Sequence, residues 1–202
     1  MLFVIAGLGN PGKEYQDSRH NAGFLAAERL AERNGLSLGA HRFEARTAAG
    51  SIAGRKVLLL MPQTFMNLSG ASVGQACRFF KVPAGQLLVL HDDLDLPLGR
   101  IQVRQGGGDG GHKGVRSVLD ALSDPGFCRV RVGVGRPPAP EDAVGFVLGG
   151  FTREERPLLT EATERAAQAV EVWLREGLVA AMNRFNPWLG GPGPNESEEK
   201  KE

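Results

Sequence analysis

The chain has 202 residues and a mass of 21.6 kDa, the size of one larger domain that can bury a core without metal or disulfide staples. Its 42% hydrophobic and 23% charged residues, net charge of +1 and two cysteines outside any CxxC pattern exclude a disordered polyelectrolyte, a disulfide scaffold and a zinc module. No run is apolar for long enough to span a membrane, and the apolar start lacks a basic leader, so a reducing, cytoplasmic setting without membrane contact is expected.

Leu2 to Ala6 is a run of β-formers ending in Gly7-Leu8-Gly9-Asn10-Pro11-Gly12, which predicts a strand and then a loop. Asn21 to Asn34 places Phe24, Leu25, Ala27, Leu30 and Ala31 at helical spacing and stops at Gly35, a natural C′ residue. Phe43–Ala48 and Lys56–Leu60 read as a hairpin, and Asn67 to Lys81 as a second amphipathic helix. Leu87 to Leu90 is a buried strand opening into His91-Asp92-Asp93, followed by a short strand from Ile101 to Arg104. The run Gly106-Gly107-Gly108-Asp109-Gly110-Gly111 is too permissive to be regular structure unless a ligand or neighbour orders it.

His112 to Leu122 is helical and Val130 to Val134 extended, and Thr152 with Glu155 forms a capping box before a long helix that Gly177 breaks. Strands interleaved with helices predict an α/β single-domain sandwich over residues 1–189, with a mixed, mostly parallel twisted sheet covered by helices on both faces. Residues 190–202, Gly-Pro-rich and then charged, offer nothing apolar to bury and are expected to be a disordered tail.

Charge is unevenly spread. From Arg100 to Arg136 seven bases face only Asp109, Asp120 and Asp124. Such a stretch is either a solvated basic face or a seat for a phosphate-bearing partner. The Gly7–Gly12 loop matches the letters of the dinucleotide fingerprint, yet Lys13 to Arg19 separate it from the helical pattern, so no helix N-terminus stands ready for a pyrophosphate.

Read with its neighbours, the loop carries more. Gly9-Asn10-Pro11-Gly12, Tyr15, Arg19, His20, Asn21 and Gly23 resemble the N-terminal signature of bacterial peptidyl-tRNA hydrolases. Pro62 to Gly70, His91 to Pro97, Gly106 to Gly114 and Gly145 to Leu148 continue the resemblance in order along nearly the whole chain. The resemblance implies an esterase without cofactor or metal that cuts a peptide from the 3′ ribose of tRNA, acting as a monomer.

Under that resemblance His20 is the general base and Asp92 its partner, an Asp on one imidazole nitrogen fixing the tautomer of the other. Asn10 and Asn67 would grip the peptide main chain and polarise the scissile carbonyl, although an asparagine in either place equally suits a turn or cap. Phe65, Met66 and Tyr15 would line the substrate pocket, or belong to the core. Arg104 and Arg131 match positions that clamp the tRNA terminal phosphate. His91 beside Asp92, Asp93 and Asp95 leaves a metal reading open, though no ligand set has a known spacing.

No serine elbow is expected, and direct attack by water suits an ester whose leaving group is a sugar hydroxyl. One departure stands out. Where the family usually reads His-Asn-Gly, this chain reads His112-Lys113-Gly114, and lysine donates hydrogen bonds but accepts none. Lys113 therefore either stabilises the developing oxyanion or reaches toward RNA phosphate. It also keeps alive a non-hydrolytic RNA-binding relative of the same fold.

Overall fold

Strands that read as unbroken apolar runs are covered on both faces, and two such runs of this chain lie side by side at the centre of its sheet. The protein is seen in a computed structural model that describes residues 1–137, 139 and 142–187. The elements in order are β1 (Leu2–Gly7), α1 (Ala22–Arg33), β2 (Ala40–Arg42), β3 (Ala45–Ile52), β4 (Arg55–Pro62), α2 (Ser69–Phe80) and β5 (Leu87–Asp93). Then follow β6 (Ile101–Gln105), α3 (Lys113–Leu122), β7 (Cys128–Gly133), α4 (Ala143–Leu148), α5 (Arg156–Glu176) and α6 (Leu178–Phe185).

The seven strands form one sheet in the order β2-β3-β4-β1-β5-β7-β6. β1 pairs in parallel with β4 and β5, and β5 with β7, while the β2–β3, β3–β4 and β6–β7 ladders are antiparallel. The result is the mixed, mostly parallel α/β sandwich expected. Alternation within β1 and β5 sorts the core. Val4, Ala6, Leu87 and Val89 pack with residues of α2 and α3 on one face, whereas Ile5, Leu88 and Leu90 pack with α1, α5 and α6 on the other.

Several elements differ from their sequence reading for definite reasons. Phe43 and Glu44 do not begin a strand. Both have positive φ, 55° and 53°, and make the tight turn between β3 and the short strand β2, whose sequence lacks the apolar alternation that signals a strand. β5 runs on through His91 to Asp93, because His91 and Asp92 both pair with β7, so the polar dipeptide lies inside the strand. The capping box forms, with Thr152 N–H donating to Glu155 at 2.8 Å and Glu155 N–H to Thr152 Oγ1 at 3.3 Å. α4, at six residues, carries too little periodicity to be legible in the sequence. The expected disordered tail, 190–202, lies outside the described residues. No helix among the described residues is long and apolar enough to cross a membrane.

The glycines of the first loop serve packing rather than phosphate. A Cβ on Gly23 would stand 2.3 Å from Leu90 O, and one on Gly7 would stand 2.5 Å from Gly23 O. Only glycines let the start of α1 settle directly on the ends of β1 and β5. That contact carries the preceding 3-10 turn, Arg19–Asn21, to the C-terminal end of β5.

Candidate active site

Asp92 ends up almost fully buried at the C-terminal end of β5, the edge where open α/β sheets present reactive side chains. Burial without a partner would be costly for a carboxylate. It has two. His20 Nδ1 lies 2.9 Å from each carboxylate oxygen, and His112 Nε2 lies 2.8 Å from Oδ1. Sequence reasoning found the first histidine and missed the second. The one local signal for His112 is its place between a glycine run and a helix, the N-cap position of α3.

Hydrogen bonding fixes where the protons sit. His112 Nδ1 accepts from Gly114 N–H at 3.1 Å and Val115 N–H at 3.2 Å, capping α3, so its ring proton is on Nε2 and points at Asp92. His20 donates from Nδ1 to the same carboxylate, which leaves its Nε2 lone pair toward the cavity that His20 lines. Burial alone would raise the Asp92 pKa. The charge and hydrogen bond of His112, and then those of His20, outweigh it and hold Asp92 well below the usual carboxylate range.

The donor set does not suit a metal. His20, Asp92 and His112 offer three close ligand atoms, but His112 Nδ1 is committed to two backbone N–H groups, so ligation through Nε2 would require an imidazolate. His91, the other histidine of the metal reading, turns away and donates from Nδ1 to Asp92 O at 2.7 Å. Its buried Nε2 has no partner among the described residues, and burial first, then the charge of His112, pushes its pKa well below the ordinary imidazole value.

Above Asp92 opens a cavity of about 570 Å³. It gathers the expected Asn10, Tyr15, His20, Phe65, Met66, Asn67, Asp92 and Lys113 into one wall system. Asn10 is held rigidly. Its backbone exchanges hydrogen bonds with the Asn21 amide at 2.7 and 3.0 Å, and its Oδ1 accepts Met66 N–H at 2.7 Å. The Met66 contact fixes which way the Asn10 amide points, and Nδ2 is the donor it can offer a ligand. Asn67 is exposed at the rim, as is Lys113, the first residue of α3. Facing them, Ala143, Val144, Val147 and Leu148 of α4 supply an apolar wall. Arg19 docks that helix. Its buried guanidinium lies 4.3 Å from the Phe146 ring and 4.7 Å from Phe151, and it pairs with Glu155 at 2.7 Å.

Arg104 and Arg131 do not line this cavity. They sit on the antiparallel edge pair β6–β7, where Arg104 pairs in register with Arg129 and Gln102 with Arg131, so three guanidiniums share one face. Their states differ. Arg131 donates to Asp93 at 2.6 Å and to Gln102, whereas Arg104 has no carboxylate partner among the described residues and lies against Gly107. Arg129, not singled out from sequence, donates to the carbonyls of Gly108 at 2.6 Å and of Gly107. Burial first, then Arg104 and Arg131, pushes its pKa down to about 10. The neighbours that order the glycine run are thus Arg129 and Asp109, whose Oδ1 accepts Gly111 N–H at 2.7 Å.

The sequence profile of a family described as peptidyl-tRNA hydrolase matches residues 4–196. The peptidyl-tRNA hydrolase of Chloroflexus aurantiacus is 48% identical over 187 residues, covering 92% of this chain and 100% of that protein. That of Mycobacterium avium is 47% identical, with 92% and 98% covered. In three dimensions, a crystal structure of the Acinetobacter baumannii peptidyl-tRNA hydrolase superposes with a TM-score of 0.87 at 38% identity, covering 93% of this chain and 95% of the other.

Proposed function

This chain belongs to the peptidyl-tRNA hydrolase family and hydrolyses the ester bond of peptidyl-tRNA, and from that premise we propose that His20, oriented by Asp92, is the base that activates the attacking water. The observation that carries this reading is the His20–Asp92 pair, with Nδ1 bound and Nε2 open to the cavity. A water on Nε2 gives up one proton as its oxygen bonds to the ester carbon. The tetrahedral intermediate then collapses, the bond from carbon to the ribose 3′ oxygen breaks, and the proton on Nε2 passes to that oxygen. Asp92 stabilises the imidazolium between the two transfers and keeps its own negative charge throughout.

The oxyanion needs a fixed donor, and Asn10 Nδ2 supplies one because Met66 has already taken the opposite end of the amide. Asn67, at the rim, is placed to bind the peptide main chain, and Tyr15, Phe65 and Met66 to enclose the acyl residue. A blocked residue presents an amide to Asn10 and Asn67, the basis for a preference for N-blocked over free aminoacyl groups. The RNA partner is the tRNA carrying the peptide. Arg104 and Arg131, with Arg129 beneath them, are our candidates for the tRNA terminal phosphate, and the protein is taken to work as a monomer.

The test is hydrolysis of N-blocked aminoacyl-tRNA beside free aminoacyl-tRNA. Preferential release from the blocked substrate supports the site as drawn. Tight tRNA binding without release would establish the non-hydrolytic RNA-binding reading instead.

A further inference from the structure

Nine large apolar side chains are left exposed among the described residues, and four of them lie along one path. Phe65 at the cavity rim, Leu68 at the N-cap of α2, and Phe79 and Phe80 at its far end are 58%, 52%, 62% and 36% exposed. Leu68, Ala71, Gln75 and Phe79 recur at three- and four-residue spacing, so they form a single outward ridge of the helix. At the far end Phe43 joins Phe79 and Phe80, with ring centroids 4.8 to 5.8 Å apart, and the Arg42 guanidinium lies 4.9 Å from the Phe43 ring.

The ridge is continuous with the cavity, since Phe65 belongs to both. Its direction is set by the sheet. The guanidinium row occupies the β6–β7 side of the β1–β5 pair, and the phenylalanine cluster hangs from the β2–β3 turn on the opposite side. A substrate whose phosphate end lies over the first side and whose ester lies at His20 must send its acyl end toward the second. From Leu68 to Phe79 the helix rises about 16 Å, the span of about five extended residues.

We propose that this ridge is a track for the peptide half of the substrate, receiving apolar side chains upstream of the residue esterified to tRNA. The proposal rests on the hydrolase reading above. Side chains of the peptide bury themselves on exposed phenylalanines, so the track prefers apolar peptides and adds to binding without touching the reacting atoms. A substrate with a single N-blocked residue ends before it reaches Leu68.

The experiment compares wild type with Leu68→Ser and Phe79→Ser on three esters: a single N-blocked aminoacyl-tRNA, a tRNA carrying six apolar residues, and one carrying six glycine or serine residues. Both positions are on the surface, and thermal melting checks that each variant remains folded. In wild type the apolar hexapeptide should have the lowest KM. Each substitution should raise that KM by about three- to tenfold, the cost of exposing part of one large apolar side chain, and should leave the single-residue ester unchanged. Equal losses on all three esters, or unchanged KM on the apolar hexapeptide, would overturn the track. So would a wild-type dimer in sedimentation that either serine variant dissociates, since the ridge would then be covered by a second copy. Failure of wild type to cleave even the single-residue ester would instead overturn the hydrolase reading itself.

Discussion

His112 Nε2 stands 2.8 Å from Asp92 Oδ1, so the carboxylate that orients His20 is itself held in place by a second histidine. The same imidazole caps α3 through Nδ1, which ties the carboxylate to the helix carrying Lys113. His112→Ala removes one of Asp92's two donors and an N-cap together. The turnover number should fall by about ten- to a hundredfold as Asp92 loses its fixed orientation, and stability should drop by about 1 kcal/mol from the missing cap. His112→Asn, which can still cap, should recover the melting temperature but not the rate. Full activity in His112→Ala would show that His20 alone orients Asp92.

Lys113 lies on the cavity rim and not at its floor, exposed at the first position of α3. Asparagine fits there without strain. Lys113→Asn should therefore remain active, with a turnover number within about tenfold of wild type, as expected for exchanging one charged donor for a neutral one. An inactive variant in a steady-state assay would mean that the site is built around the cation.

The basic β6–β7 pair gives unequal expectations for its members. Arg104 has no carboxylate partner to release among the described residues, so Arg104→Ala should weaken tRNA binding and lower the log-affinity against log-salt slope by up to about 1 for each phosphate it no longer neutralises. Arg131→Ala also strips Asp93 of its partner and exposes a carboxylate to the phosphate, so its binding loss should be larger. Titrations across a salt series check both. Turnover on a minimal ester without the tRNA body should be unaffected, and a loss of turnover there would dismiss the phosphate role.

His91 titrates against the fold. Its folded pKa lies below the unfolded value of about 6.5. The neutral ring thus contributes stability that is fully present above that pH and is lost as pH falls through the window below it. The loss approaches about 1.4 kcal/mol per pH unit for one proton. Asp92, also depressed, adds a loss of the same sign only below about pH 4, the unfolded carboxylate value. Denaturant melts between pH 7 and 5 should show a shallower decline in His91→Asn than in wild type. Identical slopes would mean that other groups carry this proton uptake.

The mixed sheet and its two helical layers follow from what the chain spells, because β1 and β5 carry apolar runs and α1 and α5 carry clear helical stripes. That His20 and Asp92 meet is what the resemblance to the family implied, each standing at the edge of a readable pattern. His112 was hidden because a helix cap and a hydrogen-bond donor to a buried carboxylate look alike in sequence. Nor does sequence reveal that Arg131 is already paired while Arg104 meets no carboxylate among the described residues, since Asp93 lies 38 residues from Arg131 and reaches it only through the β5–β7 ladder. The fixed orientation of the Asn10 amide likewise depends on Met66, 56 residues away.

The most direct measurement is single-turnover release of an N-blocked aminoacyl group from tRNA by wild type and His20→Ala, with tRNA affinity measured on the same preparations. Loss of the base should lower the rate by at least about a hundredfold while affinity stays within about twofold, because His20 touches the water and not the RNA. Release at the wild-type rate from His20→Ala would contradict its assignment as the base.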